Sequence, residues 1–272
     1  MTTTTVPVAA GPAPRTGAGT QFPRLMAMEW TKLRTVRSTM WTLLATLLVS
    51  IGLPALFALA VINDPHGPGP DFDAAGFSLF GLFLGQLIVG ALGVLVISAE
   101  YSTGSIRTTL TAAPQRLAML SAKTLTFGIV IAVVSFVTTF AAFFAVQPIL
   151  NTKNLGTTLS EGPALRMVIG GALYIIAVGL LGLGLGTIMR STAAAVSTIV
   201  GLLFVLPIVS GFLPESWRES WVKYLPGNAG GGIFSSRPDP TALGPWQSLA
   251  VFAGYAVLAL VIGAILLRRR DA

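Results

Sequence analysis

The sequence contains no cysteine, one histidine and few charged residues. The absence of cysteine excludes disulfides, thiolate nucleophiles and thiolate-ligated metals. A single histidine excludes the paired-histidine motifs of zinc proteases. His66 stands near Asp64, Asp71 and Asp73 in a stretch rich in proline and glycine. One imidazole without helical spacing is typical of a solvated loop, so we predict no metal site.

Charged residues make up 10% of the 272 residues and hydrophobic residues 53%. Soluble domains carry about 25% charged residues, so most of this surface must face lipid. We predict an all-α membrane protein with a disordered cytosolic tail at residues 1–21 and a six-span transmembrane domain over residues 39–272. The predicted spans cover residues 39–62, 77–99, 120–146, 165–189, 193–213 and 246–267.

The cations orient these spans. With the N-terminus inside, inner segments hold 12 of the 17 cations and outer segments hold five. The inner set is Arg15, Arg24, Lys32, Arg34, Arg37, Arg107, Arg116, Lys123, Arg190, Arg268, Arg269 and Arg270. The positive-inside rule then predicts a multi-pass plasma-membrane protein with both termini in the cytoplasm. The net charge of +7 reflects this orientation, and we predict no nucleic-acid partner.

Residues 22–38 predict an amphipathic helix on the inner membrane surface. At 100° per residue, one apolar face collects Phe22, Leu25, Met26, Trp30, Leu33 and Val36. Glu29 falls inside this face, where an unpaired carboxylate is costly. We therefore predict that a cation from another inner segment pairs with Glu29. The alternative is an ordinary juxtamembrane helix whose cations only fix topology.

The inner segment between the second and third spans is short, polar and rich in hydroxyl groups. Ser102 or Thr103 can cap a helix that starts near Gly104, and Pro114 ends it. The pattern predicts a short cytosolic helix that exposes Arg107. The alternative is a solvated loop.

Polar groups at mid-span are few. No Asp, Glu, Lys, Arg or His lies in the middle of a predicted span, which argues against ion-coupled carriers and intramembrane hydrolases. Gln86, Ser135, Thr138 and Thr139 are candidates for lining a substrate path. The alternative role for them is hydrogen bonding between helices.

Glycines recur inside two spans, in Gly81-x-x-x-Gly85 and in the run from Gly182 to Gly186. Neither is a phosphate-binding loop, since no strand precedes it and no lysine follows it. The small residues instead predict close helix packing.

Three segments carry a family resemblance: Glu29-Trp-Thr-Lys-Leu-Arg-Thr-Val-Arg-Ser-Thr39, Glu100-Tyr-Ser-Thr-Gly-Ser-Ile-Arg-Thr-Thr-Leu110 and Trp221-Val-Lys-Tyr-Leu-Pro-Gly-Asn-Ala229. In this order among six spans, they resemble permease subunits of ABC exporters of the second type, in the actinobacterial style. The resemblance runs from about Phe22 to the end of the chain. It implies a separate cytosolic ABC ATPase, and a homodimer or a heterodimer with a second permease.

The resemblance also implies roles for individual segments. Residues 22–37 would be the connecting helix that rests on the ATPase, with Glu29, Trp30, Lys32, Arg34 and Arg37. The coupling helix that docks on the ATPase would include Gly104, Ser105, Arg107, Thr108, Thr109 and Leu110. The turn at Arg190 would be a second inner contact. Residues 214–245 would form short outer or re-entrant helices before the last span.

These observations lead to the expectation of a transport permease that moves a lipid, drug or peptide with the help of an ATPase chain. The sequence has no Gly-x-x-x-x-Gly-Lys-[Ser/Thr] motif, so ATP and Mg would be bound by the partner. We expect no enzymatic activity and no cofactor in this chain. Two alternatives stay open, a non-transporting scaffold or immunity protein and an ATP-independent channel or carrier.

Overall fold

The structure is a computed structural model that describes residues 18–69, 71–104, 116–237 and 242–269. All regular elements in these ranges are helical. This confirms the predicted all-α class. Most of the predicted tail lies outside the described residues, and so does the segment 105–115 that contains most of the predicted coupling helix.

Eleven α-helices follow in order through the described residues, with one π-helical and two 3-10 segments. We name them α1 (Ala18–Thr35), α2 (Arg37–Asn63), α3 (Ala74–Leu79), α4 (Leu82–Ser102), α5 (Arg116–Asn151), α6 (Ala164–Met189), α7 (Thr192–Val200), a π-helix (Gly201–Val205), α8 (Leu206–Ser210), α9 (Glu215–Ser220), a 3-10 turn (Val222–Tyr224), α10 (Pro226–Gly231), a 3-10 turn (Gly232–Phe234) and α11 (Pro245–Arg269).

Six helical segments are long and apolar enough to cross a membrane, which confirms the predicted number of spans. They are Arg37–Asn63, Ala74–Ser102, Arg116–Asn151, Ala164–Met189, Thr192–Ser210 and Pro245–Arg269. The chain is therefore a multi-pass membrane protein. The third span is longer than predicted: its helix has 36 residues and is about 54 Å long, whereas the hydrocarbon core of a membrane is about 30 Å thick. The prediction was too short because hydropathy detects only the part of a helix that lies in lipid.

The central helix of the bundle is α6, which packs against α4, α5 and α11. Its glycines make this possible. A Cβ at Gly182 would overlap the Gly90 carbonyl oxygen of α4, and a Cβ at Gly184 would lie 2.7 Å from the Ala259 Cβ of α11. The predicted close packing is thus confirmed for α6. It is also confirmed at Gly81 and Gly85, whose added Cβ atoms would overlap Ser50 of α2.

The fifth span changes its winding before Pro207. It runs from α7 through the π-helix into α8, and Pro207 stands in the first turn of α8. A wider π turn accommodates a residue that lacks a backbone N–H. A Cβ on Gly227 of α10 would overlap the Pro207 ring, so α10 packs directly on this turn.

Helix α1 is separated from α2 by Val36, which is extended at φ −77° and ψ 109°. Its buried side chains are Leu25, Glu29 and Leu33, spaced by four residues. Of the predicted apolar face, Leu25 and Leu33 pack into the protein, whereas Trp30 is 50% and Val36 is 45% exposed. Exposed apolar side chains next to a membrane span can still face lipid, so the orientation of this face toward the membrane stays a prediction.

Candidate functional site

Four charged side chains from three helices meet beside α1. Glu29 and Lys32 belong to α1, Glu100 to the last turns of α4 and Lys123 to the start of α5. The Lys123 Nζ lies 2.5 Å from Glu29 Oε2 and 2.9 Å from Glu100 Oε1. The Lys32 Nζ lies 2.7 Å from Glu100 Oε1 and 3.1 Å from Glu29 Oε1. We call these four residues the α1 charge cluster.

The cluster is electrically neutral and mostly buried. Glu29 and Lys123 are each 2% exposed and Glu100 is 7% exposed, whereas the Lys32 side chain is 38% exposed. Burial alone lowers the pKa of Lys32, but the hydrogen bond to Glu100 and the charges of Glu29 and Glu100 outweigh it and raise that pKa. Lys32 therefore stays charged near neutral pH.

The prediction that a distant cation pairs with Glu29 is confirmed, since Lys123 stands 94 residues away. Sequence reasoning missed the second acid of the cluster, Glu100. The sequence marked Glu100 only as an acid at the end of an apolar span, which many juxtamembrane acids share, and as the first residue of a resemblance segment. Among the predicted connecting-helix residues, Arg34 and Arg37 are exposed and do not join the cluster.

The cluster ties α1 to both helices that flank residues 105–115. Helix α4 ends at Ser102, and Gly104 follows with φ +69°, a left-handed conformation that favours glycine. Five predicted coupling residues lie outside the described residues, namely Ser105, Arg107, Thr108, Thr109 and Leu110. Their contact with a partner stays a prediction.

Other helix ends meet at the same side of the bundle. The Arg190 guanidinium, in the turn between α6 and α7, lies 5.2 Å from the centre of the Tyr101 ring. The Arg116 Nη1 donates a 3.1 Å hydrogen bond to the Leu267 carbonyl oxygen of α11. The start of α5 and the ends of α4, α6 and α11 therefore share this side with α1, and we call it the α1 end.

Charge is distributed unequally between the two ends of the bundle. The described cations of the α1 end are Arg24, Lys32, Arg34, Arg37, Arg116, Lys123, Arg190, Arg268 and Arg269, against the acids Glu29 and Glu100. The opposite end carries Lys153, Arg166, Lys223 and Arg237 together with Asp64, Asp71, Asp73 and Glu161. The α1 end is strongly cationic.

A cavity of about 740 Å³ lies toward the opposite end. Its walls come from α2, α3, α4, α6, the fifth span and the segment around α10, and seven of its lining residues are aromatic. Its polar lining residues are Gln86, Tyr174, Asp71 and Asp73. The Tyr174 hydroxyl donates a hydrogen bond to Gln86 Oε1, and both side chains are buried. We call this space the aromatic cavity.

The structure separates the four residues predicted for a substrate path. Gln86 lines the aromatic cavity, whereas Ser135, Thr138 and Thr139 are buried along α5 and are not among its described lining residues. Thr138 donates to the Val134 carbonyl oxygen at 2.7 Å and Thr139 to the Phe136 carbonyl oxygen at 3.2 Å. Both threonines thus bond within their own helix, and the interhelical alternative fits Gln86.

The segment before the last span contains short helices, as the family resemblance implies. It is fixed by Arg166, which donates to the carbonyl oxygens of Ile233 at 3.2 Å and Ser235 at 2.7 Å. Ser248 of α11 donates to the Ala229 carbonyl oxygen at 2.6 Å. These bonds hold α10 and Phe234 against the bundle as a wall of the aromatic cavity.

Comparison with known families finds one model that matches residues 42–272, and its family is described as a protein of unknown function, DUF2705. No curated protein matches the chain.

Proposed function

The chain belongs to the DUF2705 family of proteins of unknown function, and from this starting point we propose that it is the membrane permease subunit of an ATP-driven exporter. In this proposal the ATPase is a separate cytosolic chain that binds ATP and Mg. It docks at the α1 end, on α1 and on residues 105–115. The permease works as a dimer, with a second copy or with a sister permease.

The α1 charge cluster carries this proposal. A helix that only fixed topology would need no buried ion pairs with two spans, yet Lys123 holds Glu29 of α1 and Glu100 of α4 at once. Breaking a buried ion pair by removing one partner costs about 3–5 kcal/mol. A displacement of α1 therefore moves α4 and α5 with it.

The outer side of α1 suits a protein partner. Arg24, Thr31 and Arg34 are exposed, and the neighbouring Arg37 is exposed at the start of α2. These cations accelerate encounter with an acidic surface. Their excess also supports a cytoplasmic location for the α1 end by the positive-inside rule, which is where ATP is available.

The packing offers a route from the α1 end to the aromatic cavity. Helix α4 starts at the cavity with Leu82 and Gln86 and ends at the cluster with Glu100. Its backbone touches α6 at glycines, so the two helices move as packed bodies. ATP binding in the partner would favour one of two arrangements of α4 through the contacts it makes at the α1 end.

Co-purification tests the proposal. The tagged chain should bring down one ATP-hydrolysing partner from its native membrane. Arg107→Glu should reduce both the bound partner and the ATP hydrolysis, because it reverses the charge of the predicted docking segment. Lys153→Glu is the matched control, since Lys153 is an exposed cation of the opposite end.

Equal partner binding and ATP hydrolysis in the Arg107→Glu and Lys153→Glu variants would remove residues 105–115 from the docking surface. The absence of any nucleotide-hydrolysing partner would favour the scaffold. Solute movement that persists without such a partner would favour the channel or carrier.

A further inference from the structure

The aromatic cavity has the size and composition of a ligand site. Its volume of about 740 Å³ lies within the roughly 300–1,000 Å³ typical of sites for small molecules. Phe57, Phe77, Phe80, Phe83, Phe234 and Tyr174 supply ring faces and edges. Phe57, Phe80 and Phe83 are each about half exposed, so the cavity has an apolar rim on the lipid side.

The charged groups of the cavity are all negative among its described lining residues, which include Asp71 and Asp73 and no lysine or arginine. Asp71 is neutralised by Arg237, whose Nη2 lies 2.5 Å from Asp71 Oδ1. One oxygen of Asp73 accepts a 3.0 Å hydrogen bond from the Gly76 amide, and its second oxygen has no partner in the described ranges. Asp73 therefore leaves one negative charge at the mouth.

Gln86 provides a second unsatisfied polar group. It is 4% exposed, and its Oε1 accepts the Tyr174 hydroxyl hydrogen. Within the described part of the chain, its amide nitrogen has no acceptor, so two N–H donors remain for a ligand at the buried side of the cavity. An acceptor on a ligand would give this amide a hydrogen bond that the described residues do not supply.

We propose that the aromatic cavity binds a hydrophobic cation, a molecule with an apolar body and one ammonium or phosphonium centre. The body lies among the phenylalanine rings, which attract the positive charge through their faces. The charge lies toward Asp73, and an acceptor on the body can use Gln86. The idea that such a cation is the exported substrate rests on the proposed function. Its binding to the cavity does not, because binding needs no ATPase.

Equilibrium binding of tetraphenylphosphonium to the purified full-length chain in dodecyl maltoside tests the proposal. Tetraphenylborate, measured separately, has the same shape and the opposite charge. We expect saturable binding of the cation and only micelle partitioning of the anion. Equal uptake of both ions would overturn the proposal.

Asp73→Asn tests the charge and preserves the fold, since an asparagine oxygen can still accept the Gly76 amide. We expect affinity for tetraphenylphosphonium to fall about three- to fivefold, the effect of one partly exposed charge pair. Asp64→Asn is the matched control, an exposed acid of the same end that does not line the cavity. Identical affinities in the two variants would contradict a role for Asp73.

Gly231→Leu tests the location. An added Cβ at Gly231 meets no atom within 4 Å, and Gly231 lines the cavity, so a leucine there starts from an unobstructed Cβ and takes up ligand space. We expect at least about a tenfold loss of affinity. Gly254→Leu is the matched control on α11, where an added Cβ is equally free. Unchanged binding in Gly231→Leu would place the site elsewhere.

A lipid amine and a free amphiphile share the required chemistry. Added phosphatidylethanolamine that displaces tetraphenylphosphonium, while phosphatidylglycerol does not, would identify a lipid headgroup as the occupant. Binding unaffected by either lipid would identify a free cation.

The binding and co-purification experiments separate the two proposals. If the Asp73→Asn and Gly231→Leu variants alter binding but no ATPase co-purifies, only the exporter proposal fails. If the ATPase co-purifies but neither variant alters binding, only the cavity assignment fails.

Discussion

The ammonium group of Lys123 is buried away from water between the carboxylates of Glu29 and Glu100. Such a group is costly to bury, and the geometry offsets the cost because its Nζ has one acid from α1 and one from α4 within 3 Å. Lys32 completes the balance of charge from the exposed side. The residue-level consequence is that α1 can leave the bundle only by exposing buried charge.

Lys123→Met should destabilise the protein by about 3 kcal/mol or more, because Glu29 and Glu100 then lose their buried partner. Thermal unfolding in detergent, followed by size-exclusion fluorescence, measures the loss. Lys32→Met is the control and should cost about 1 kcal/mol or less, since Lys32 is partly in water. Adding Glu29→Gln to Lys123→Met should recover part of the loss. Equal melting temperatures for the two lysine variants would show that the cluster does not hold α1.

At the scale of elements, the contact between α4 and α6 is made of backbone. Added Cβ atoms at Gly93 and Gly182 would overlap the Gly179 and Gly90 carbonyl oxygens, so neither helix can yield by a side-chain rotation. Lipid provides little hydrophobic drive between helices, so close van der Waals packing of this kind is a main source of their association.

Gly182→Ala should force α4 and α6 apart and cost about 1–3 kcal/mol, the usual effect of overpacking. The unfolding midpoint in detergent checks this. Gly254→Ala is the matched control, because both changes add a methyl group to a helix but only Gly182 faces another backbone. A Gly182→Ala protein as stable as Gly254→Ala would mean that the helices are not in contact there.

Across the whole molecule, the sequence allowed a correct prediction of six helical spans, because each span repeats the same local requirement for about 20 apolar residues. The ends were less accurate, as in α5, since helices continue beyond the lipid wherever backbone hydrogen bonds continue. The need of Glu29 for a cation was also predictable, because the helical pattern places this acid on a buried apolar face. That Lys123 also pairs with Glu100 was not predictable, because this contact depends on how α1, α4 and α5 pack.

The aromatic cavity could not be predicted for a similar reason. Phe57, Phe83 and Phe234 come from three different elements, and each looks like an ordinary lipid-facing or core residue in its own segment. Gln86 was a candidate as a polar residue at mid-span. Its hydrogen bond with Tyr174 depends on the contact between α4 and α6.

The topology of the whole chain can be measured directly, because the protein has no cysteine of its own. A membrane-impermeant maleimide applied to intact cells should label the Lys153→Cys variant and spare the Arg34→Cys variant until the cells are permeabilised. Both positions are exposed, so access alone decides the result. Labelling of Arg34→Cys in intact cells would place the cationic α1 end outside and remove the basis for an ATPase there.

In the proposed mechanism, ATP used by a partner at the α1 end changes the bundle at the far end. The maleimide labelling rate of Gly231→Cys, in the aromatic cavity, reports this change in the purified complex with and without ATP and vanadate. Gly254→Cys, on the surface of α11, is the reference. We predict a several-fold change in rate at Gly231→Cys and none at Gly254→Cys. Identical rates at Gly231→Cys in both nucleotide states, in a complex that hydrolyses ATP, would show that ATP use by the partner does not change the aromatic cavity.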